Sequence, residues 1–300
     1  MKVLFYAAPV ICAASMLCAQ DITYGNAQYT YSSIDIDGED VDIGGFTGSI
    51  GAAFGDIDVF ADADYTEFDL GGEDLEVASY EVGVGYTFGI LRADISLAQL
   101  EASFLGFSDD SSLVEVGLGY NADIFRARVA YASLDDDTGL DGLFGLTVGI
   151  KFDDRTEASL SFHQTDPEAD GVDEEDITIL NISHDGDVID LEFDVIDDDF
   201  STGVVLTGDY ALRNGFGING SYSNISADGD DVDRIGVGGF YDIGNGFRVD
   251  GELFQIEADG NDSEGLRLGL TYDFGQKGFE RQTQLDRLNH VNNRVLGTSF

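Results

Sequence analysis

The chain of 300 residues carries 59 Asp and Glu against 14 Lys and Arg, a formal charge of -45, with 39 Gly, 2 Pro and no Trp. That acid excess argues against a nucleic-acid partner, because phosphates are neutralised by Lys and Arg. Disorder is excluded as well, since acidic disordered chains lack aromatics, whereas 21 Phe and 13 Tyr recur here at regular positions.

At the start, Lys2, the apolar run from Val3 to Leu17 and the small pair Cys18-Ala19 precede polar Gln20 and Asp21. This is the pattern of a secretory signal peptide, so residues 1–19 are expected to be removed. Cys12 follows Ile11 and Cys18 follows Leu17, without the small preceding residue that lipidation wants. With both cysteines in the leader, the exported chain is expected to hold no disulfide and no thiolate site. No later apolar stretch approaches the roughly 20 residues of a spanning helix. A membrane crossing would then need strands closed into a barrel, where every backbone group is paired.

From Ala27 onward period-two alternation dominates. Tyr80, Val82, Val84, Tyr86 and Phe88 point one way while Glu81, Gly83, Gly85 and Thr87 point the other, which suits a wall between lipid and water. The pattern returns at Val114 to Ala122, Phe144 to Phe152, Ile235 to Ile243 and Leu266 to Phe274. It predicts an all-β, transmembrane, antiparallel up-and-down barrel over residues 20–274, of about sixteen strands, with fourteen left open, each roughly nine to eleven residues long. Tight turns at Gly55-Asp56, Asp153-Asp154, Asp185 to Asp187, Arg213 to Gly215 and Gly244 to Gly246 are expected in the periplasm. Longer acidic loops are expected outside, at Asp37 to Asp42, Gly71 to Asp74, Ser103 to Ser111, Asp135 to Gly142, Asp166 to Glu175, Asp197 to Phe200, Ser226 to Asp233 and Ala258 to Glu264. Tyr86, Phe88, Tyr120, Phe125, Phe152, Phe216, Tyr241, Phe247, Tyr272 and Phe274 would form a girdle beside the short turns; a soluble sandwich core is the competing use for such rings.

The segment Arg267-Leu268-Gly269-Leu270-Thr271-Tyr272-Asp273-Phe274 resembles the closing-strand signal of outer-membrane proteins, with Arg267, Gly269, Tyr272 and Phe274 in its key places. The endings Val82 to Gly89 and Tyr241 to Gly246 resemble hairpins of Gram-negative porins of the alphaproteobacterial type. The resemblance implies a Gram-negative outer-membrane location, insertion by the barrel assembly machinery and a homotrimer in outer-membrane lipid and lipopolysaccharide. Two departures stand out: Ser103 to Ser111 is too short for the lumen-constricting third loop of such porins, and the chain runs on past Phe274 to Phe300.

The lumen face assigned by alternation carries the acids Asp58, Asp62, Asp64, Glu81, Glu115, Asp190, Glu192, Asp194, Asp209, Asp250 and Glu252 and the bases Arg92, Arg126, Arg128, Lys151, Arg248 and Arg267. Opposed rows of these charges would set up a transverse field biased toward cations; the plainer reading is that a wet lumen needs polar walls. Acid runs such as Asp135 to Asp137 lack the full calcium-loop spacing and read as solvated loops, or as loose divalent bridges to lipopolysaccharide. Of His163, His184 and His290, only His163 sits inward beside Ser159 and Ser161, too little to define a catalytic triad. No cofactor, metal or reaction is implied.

Residues 275–300 break the alternation. Leu285, Leu288, Val291 and Val295 fall on one helical face, and Lys277, Arg281, Arg287 and Arg294 make the segment locally basic. It is expected either as a periplasmic extension, the simpler reading, or as a plug drawn into the acidic lumen. The sequence as a whole points to a porin for passive diffusion of small hydrophilic solutes, with a closed structural or surface-binding barrel as the alternative.

Overall fold

The computed structural model describes residues 22–36, 39–69, 74–104, 107–135, 140–167, 174–227, 230–258, 260–275 and 282–295. The leader and much of the tail, with Lys277 and Arg281, lie outside the described residues. Sixteen strands follow one another: β1 (Ile22–Ile36), β2 (Glu39–Phe54), β3 (Ile57–Asp69), β4 (Asp74–Phe88), β5 (Leu91–Phe104), β6 (Phe107–Asn121), β7 (Phe125–Leu134), β8 (Leu140–Lys151), β9 (Thr156–Pro167), β10 (Asp176–Asp185), β11 (Ile189–Asp198), β12 (Ser201–Ala211), β13 (Phe216–Ala227), β14 (Asp230–Gly244), β15 (Phe247–Ala258) and β16 (Asn261–Gly275). Each pairs antiparallel with its neighbours and β16 closes on β1, so the expected barrel of sixteen is the fold and no edge is left open.

One end of the barrel is stitched by tight turns, and both barrel termini lie there. The β14–β15 turn shows why the sequence marks them: Asn245 and Gly246 have φ of 56° and 84°, the positive pair that a hairpin twisted like its strands requires. Above these turns the outward face is apolar, with Leu118 at 61% and Val237 at 68% exposure. The predicted girdle is there, and its rings pair across strands: Phe216 with Tyr241 at 4.6 Å and Phe247 with Tyr272 at 4.4 Å between centroids. A second belt, missed in the sequence, runs through the cross-strand neighbours Tyr29, Phe46 and Tyr65 and through Tyr131 and Phe144. Phe144 on β8 and Phe152 just past its end frame the apolar band, eight residues or about 27 Å apart along the chain, which at a barrel strand's tilt of about 40° spans about 20 Å across the membrane.

Strand lengths differ from expectation, running from 10 residues in β7 to 16 in β2. Most of the excess comes from the acidic segments read as long loops. In Ser103 to Ser111, for example, pairing continues to Phe104 opposite Phe107; Glu39 to Asp42, Asp230 to Asp233 and Asn261 to Glu264 are strand as well. Alternation persists past the second belt, but the face polarity is exchanged. Asp42, Glu67, Glu76, Glu101, Asp197, Asp233 and Glu257 point outward, while Ile43, Phe68, Val77, Leu100, Ile196, Val232 and Ile256 point into the barrel. Outside lipid, the outward face must be polar, and acids there are strand residues in water rather than loop residues.

The described tail forms α1 (Gln284–Val295) inside the barrel. Thr283 caps it, its Oγ1 accepting from the Asp286 N–H at 3.2 Å while donating to Glu81 at 2.6 Å. Twelve residues make a rod about 18 Å long.

Candidate functional site

The turn-end half of the lumen is polar, and its charges are built in three groups. On β3 to β7, Arg92 holds Asp58 through both guanidinium nitrogens, one of them at 2.8 Å, and Arg128 holds Asp94 at 2.5 Å and Glu115 at 2.6 Å. On β13 to β16, Glu252 is shared by Arg234 at 2.7 Å and Arg267 at 2.6 Å. Arg248 pairs with Asp209 at 2.6 Å and lies 3.7 Å over the Phe240 ring. Inward glycines make the room: a side chain at Gly85, Gly117 or Gly236 would collide with Arg92, Arg128 or Glu252.

The third group ties α1 to the wall. The Gln284 N–H donates to Glu115 at 3.0 Å, and its side chain meets His163 at 3.1 Å and the Leu143 carbonyl at 3.2 Å, above Gly145. Leu285 enters an apolar patch of Ala98, Leu113 and Ala132. Asn289 donates to Ser79 at 2.7 Å and Asn293 to Asp64 at 3.0 Å. Arg294 holds Asp194 and, at 2.9 Å, Glu192, and donates to Thr207 at 2.6 Å; His290 reaches Glu192 at 2.9 Å. The acids beside the helix N-terminus and the arginine in its last turn both suit the helix dipole.

In the ring of sixteen, β3 and β11 are eight strands apart on opposite walls. The adjacent residues Asn293 and Arg294 therefore tie opposite sides of the lumen, to Asp64 and Asp194. On the turn side of α1 lies a cavity of about 850 Å³ lined by Asp62, Asp64, Arg126, Lys151, Glu157, Asp286 and His290 among others. A second, of about 300 Å³, is lined by Asp190, Glu192, Asp209, Arg248, Asp250, Glu252 and Arg267. A third, of about 350 Å³, lies toward the loop end.

All seventeen charged residues expected on the lumen face belong to these groups or line these cavities. The structure does not arrange them as two opposed rows: Arg92 and Arg128 are held by acids one or two strands away on the same wall. Sequence reasoning missed Asp94 and Arg234, the partners of Arg128 and Glu252, although Arg92-x-Asp94 carried the same-face signal. Among the described residues the closest approach to a metal cluster is Glu192, Asp194 and His290, where Arg294 already supplies the cation. Arg267, Gly269, Tyr272 and Phe274 lie on β16 opposite Ser32, Thr30, Ala27 and Gly25 of β1, at the seam that closes the barrel.

No protein-family model and no curated relative matches the chain. Among solved structures, a mutant of Rhodopseudomonas blastica porin superposes with a TM-score of 0.52 at 14% identity, over 85% of this chain and 100% of that one. The outer membrane protein OpdK of Pseudomonas aeruginosa does so with 0.52 at 11%, over 84% and 98%, and OpdK with vanillate with 0.53 at 10% over the same shares. What is shared at that identity is architecture, and the chain has the sixteen-stranded fold of Gram-negative outer-membrane porins.

Proposed function

We propose that this protein is a plugged porin: an outer-membrane pathway for passive diffusion of small hydrophilic solutes, leaning toward cations, that its own C-terminal helix holds shut. The carrying observation is the tie of Asn293 and Arg294 to opposite walls, which no wet, open pore requires. The cation preference rests on the acids around both turn-end cavities, which outnumber the bases. In this reading the short turns face the periplasm, residues 1–19 direct export, β16 is the strand read by the assembly machinery, and the barrel forms a homotrimer.

The outward acids of the extension stand opposite one another, as Glu67 with Glu76 and Glu257 with Asp262. Like charges in that register repel; divalent cations shared with lipopolysaccharide phosphates would relieve them. The same tie of the helix to both walls also suits a permanently closed structural or surface-binding barrel, so the experiment must separate the two. Planar-bilayer recording in a potassium chloride gradient is the test, with the intact chain, with residues 276–300 deleted, and with Arg294→Ala. The plugged-porin reading expects rare openings in the intact chain and sustained, cation-selective steps in both variants. Silence from all three forms, each verified as a heat-modifiable folded barrel, would establish the closed barrel.

A further inference from the structure

Around the turn-end cavity of about 300 Å³, most charges of the β11 to β16 wall are already matched. Arg248 is held by Asp209, Glu252 takes Arg234 and Arg267, and Glu192 takes Arg294. Asp190 accepts the Gly186 N–H at 2.8 Å. Asn219 and Asp250 stand outside this accounting. Asn219, 6% exposed, has no hydrogen-bond partner at Oδ1 or at Nδ2, and Asp250, 8% exposed, has none at Oδ2. Arg248 and Arg267 act on Asp250 through space only. Buried polar side chains are bonded in the large majority of cases, so two orphans on one cavity mark a place where bonds are made to something other than the wall.

The strand register places the pair. Asp209, Asn219, Gly238, Glu252 and Arg267 follow one another across β12 to β16, and Asp250 lies one inward position nearer the turns, opposite Gly269. Asn219 Oδ1 rests over Gly238 and the Asp250 carboxylate over Gly269, where a Cβ would collide with them. Bare backbone thus forms a shelf on which both polar ends lie. The terminal torsions of Asn and Asp are broad, so both ends can turn toward the cavity without a change at χ1. Sites for small molecules begin at about 300 Å³, and a lining this polar asks for a ligand that is polar on every side. The orphaned atoms fix its class: Nδ2 of Asn219 needs an acceptor, while Asn219 Oδ1 and Asp250 Oδ2 need donors. An ammonium group brings donors only and a carboxylate acceptors only. A metal ion takes the oxygens and leaves Nδ2 without a partner. A hydroxyl both donates and accepts.

We infer that this cavity binds a small uncharged polyhydroxylated solute, a sugar or polyol of about one pyranose ring, with hydroxyls on Asn219 and Asp250. Thr207 and Glu192, both held by Arg294, line the same cavity, so the bound solute sits beside the last turn of α1. The inference names a solute for the proposed pathway and rests on that reading for how the solute arrives. Binding itself needs no flow, so an equilibrium measurement can fail while the bilayer recording succeeds, and the reverse.

Saturation-transfer NMR on the full chain in nanodiscs tests this, with empty nanodiscs subtracted, using D-glucose and tetrahydropyran, the same ring without its hydroxyls. The expected result is a saturable signal from glucose and none from tetrahydropyran. Asn219→Leu should weaken glucose about tenfold while leaving the urea midpoint unchanged or higher, because the amide it removes makes no bond within the fold. Asp250→Asn should weaken glucose by about tenfold as well, through loss of a charge-assisted bond. Absence of a saturable glucose signal would mean that water alone serves these atoms, and equal signals from the two rings would mean that hydroxyls are not read; either overturns the assignment. So would glucose binding retained in both variants, or a drop in the stability of Asn219→Leu, which would make Asn219 a structural residue. Calorimetric binding of calcium chloride that Asp250→Asn abolishes, with glucose silent, would make the cavity a cation site instead. Should Asp250→Asn fail to fold, the two-ring comparison on the natural chain and Asn219→Leu still decide it.

Discussion

Near the turns, β14 and β15 send Val237 and Leu253 outward and β15 sends Asp250 and Glu252 inward; near the loops the same two strands send Asp233 and Glu257 outward and Val232 and Ile256 inward. The backbone period does not change between the two halves, nor does the side of the wall on which a given parity lies. What changes is the medium outside: lipid demands an apolar outer face over the band, water demands a polar one above it. The inner face then takes the complementary character, charged pairs and a docked helix below, an apolar cup above. A β-barrel wall is thus two proteins end to end, a membrane barrel and a soluble one, with the second belt of rings at the join.

The largest expected effects come from asking what stabilises each lumen. Arg128 is 5% exposed between Asp94 and Glu115, and Arg128→Met keeps most of its volume while taking the guanidinium away from two buried carboxylates, of which Asp94 keeps only the longer contact to Arg92 at 3.8 Å. Such a loss is destabilising by about 3–5 kcal/mol. Phe254, 6% exposed in the cup, should lose about 3–5 kcal/mol on Phe254→Ala, through the cavity left behind. Phe254→Leu should lose less, about 1–2 kcal/mol, because it keeps most of the volume and forfeits only the ring under Arg234, 4.2 Å from its centroid. Urea unfolding in lipid vesicles measures both. If Arg128→Met were as mild as Phe254→Leu, the charged half would not be held by its ion pairs.

Next in size is the outer face. Val237→Lys places a charge in the lipid band and should destabilise by about 2–4 kcal/mol, whereas Glu257→Lys above the belt should stay within about 0.5 kcal/mol. The same unfolding assay, read against a folded control, compares them. Equal penalties at the two positions would mean that the extension is bathed in lipid and that the join has been placed too low.

These two halves were unequally legible in the sequence. The barrel, its strand number, the lumen charges and the first girdle follow from alternation between Tyr80 and Phe88 and its repeats, where apolar residues face lipid and the contrast is sharp. The extension was misread because Asp40-Val41-Asp42-Ile43 and Asp231-Val232-Asp233 look like acidic loop by composition, although they alternate as strictly as any strand. Partners such as Arg128 with Asp94 come from strands β5 and β7, two places apart, and no local period reports that. The tail's helix was visible in the spacing of Leu285 and Leu288, and its basic residues hinted at an acidic seat. Its place against Glu81, Glu115 and Asp194 depends on which wall residues the barrel's closure brings together, and those come from distant parts of the chain.

The smallest effect separates the turns themselves. Asp153, at the turn end, accepts the backbone N–H groups of Arg155 at 2.8 Å and Thr156 at 2.7 Å; Asp198, at the loop end, accepts those of Phe200 at 2.8 Å and Ser201 at 2.6 Å. The same local device thus closes β8–β9 on one side and β11–β12 on the other. The Arg155 N–H holds the Asp153 carboxyl below its ordinary value of 3.8. A depressed carboxyl stabilises the fold above its unfolded value, and that contribution disappears as pH falls through the lower folded one. Asp153→Ala should therefore open the β8–β9 turn to amide exchange at neutral pH while leaving the barrel folded. The difference from the natural chain should shrink once pH drops well below 4, where both lack the carboxylate. Hydrogen exchange of the Arg155 and Thr156 amides reads it directly. A difference that persisted unchanged into that acid range would show that the charge on Asp153 contributes nothing, and that the turn is set by its backbone alone.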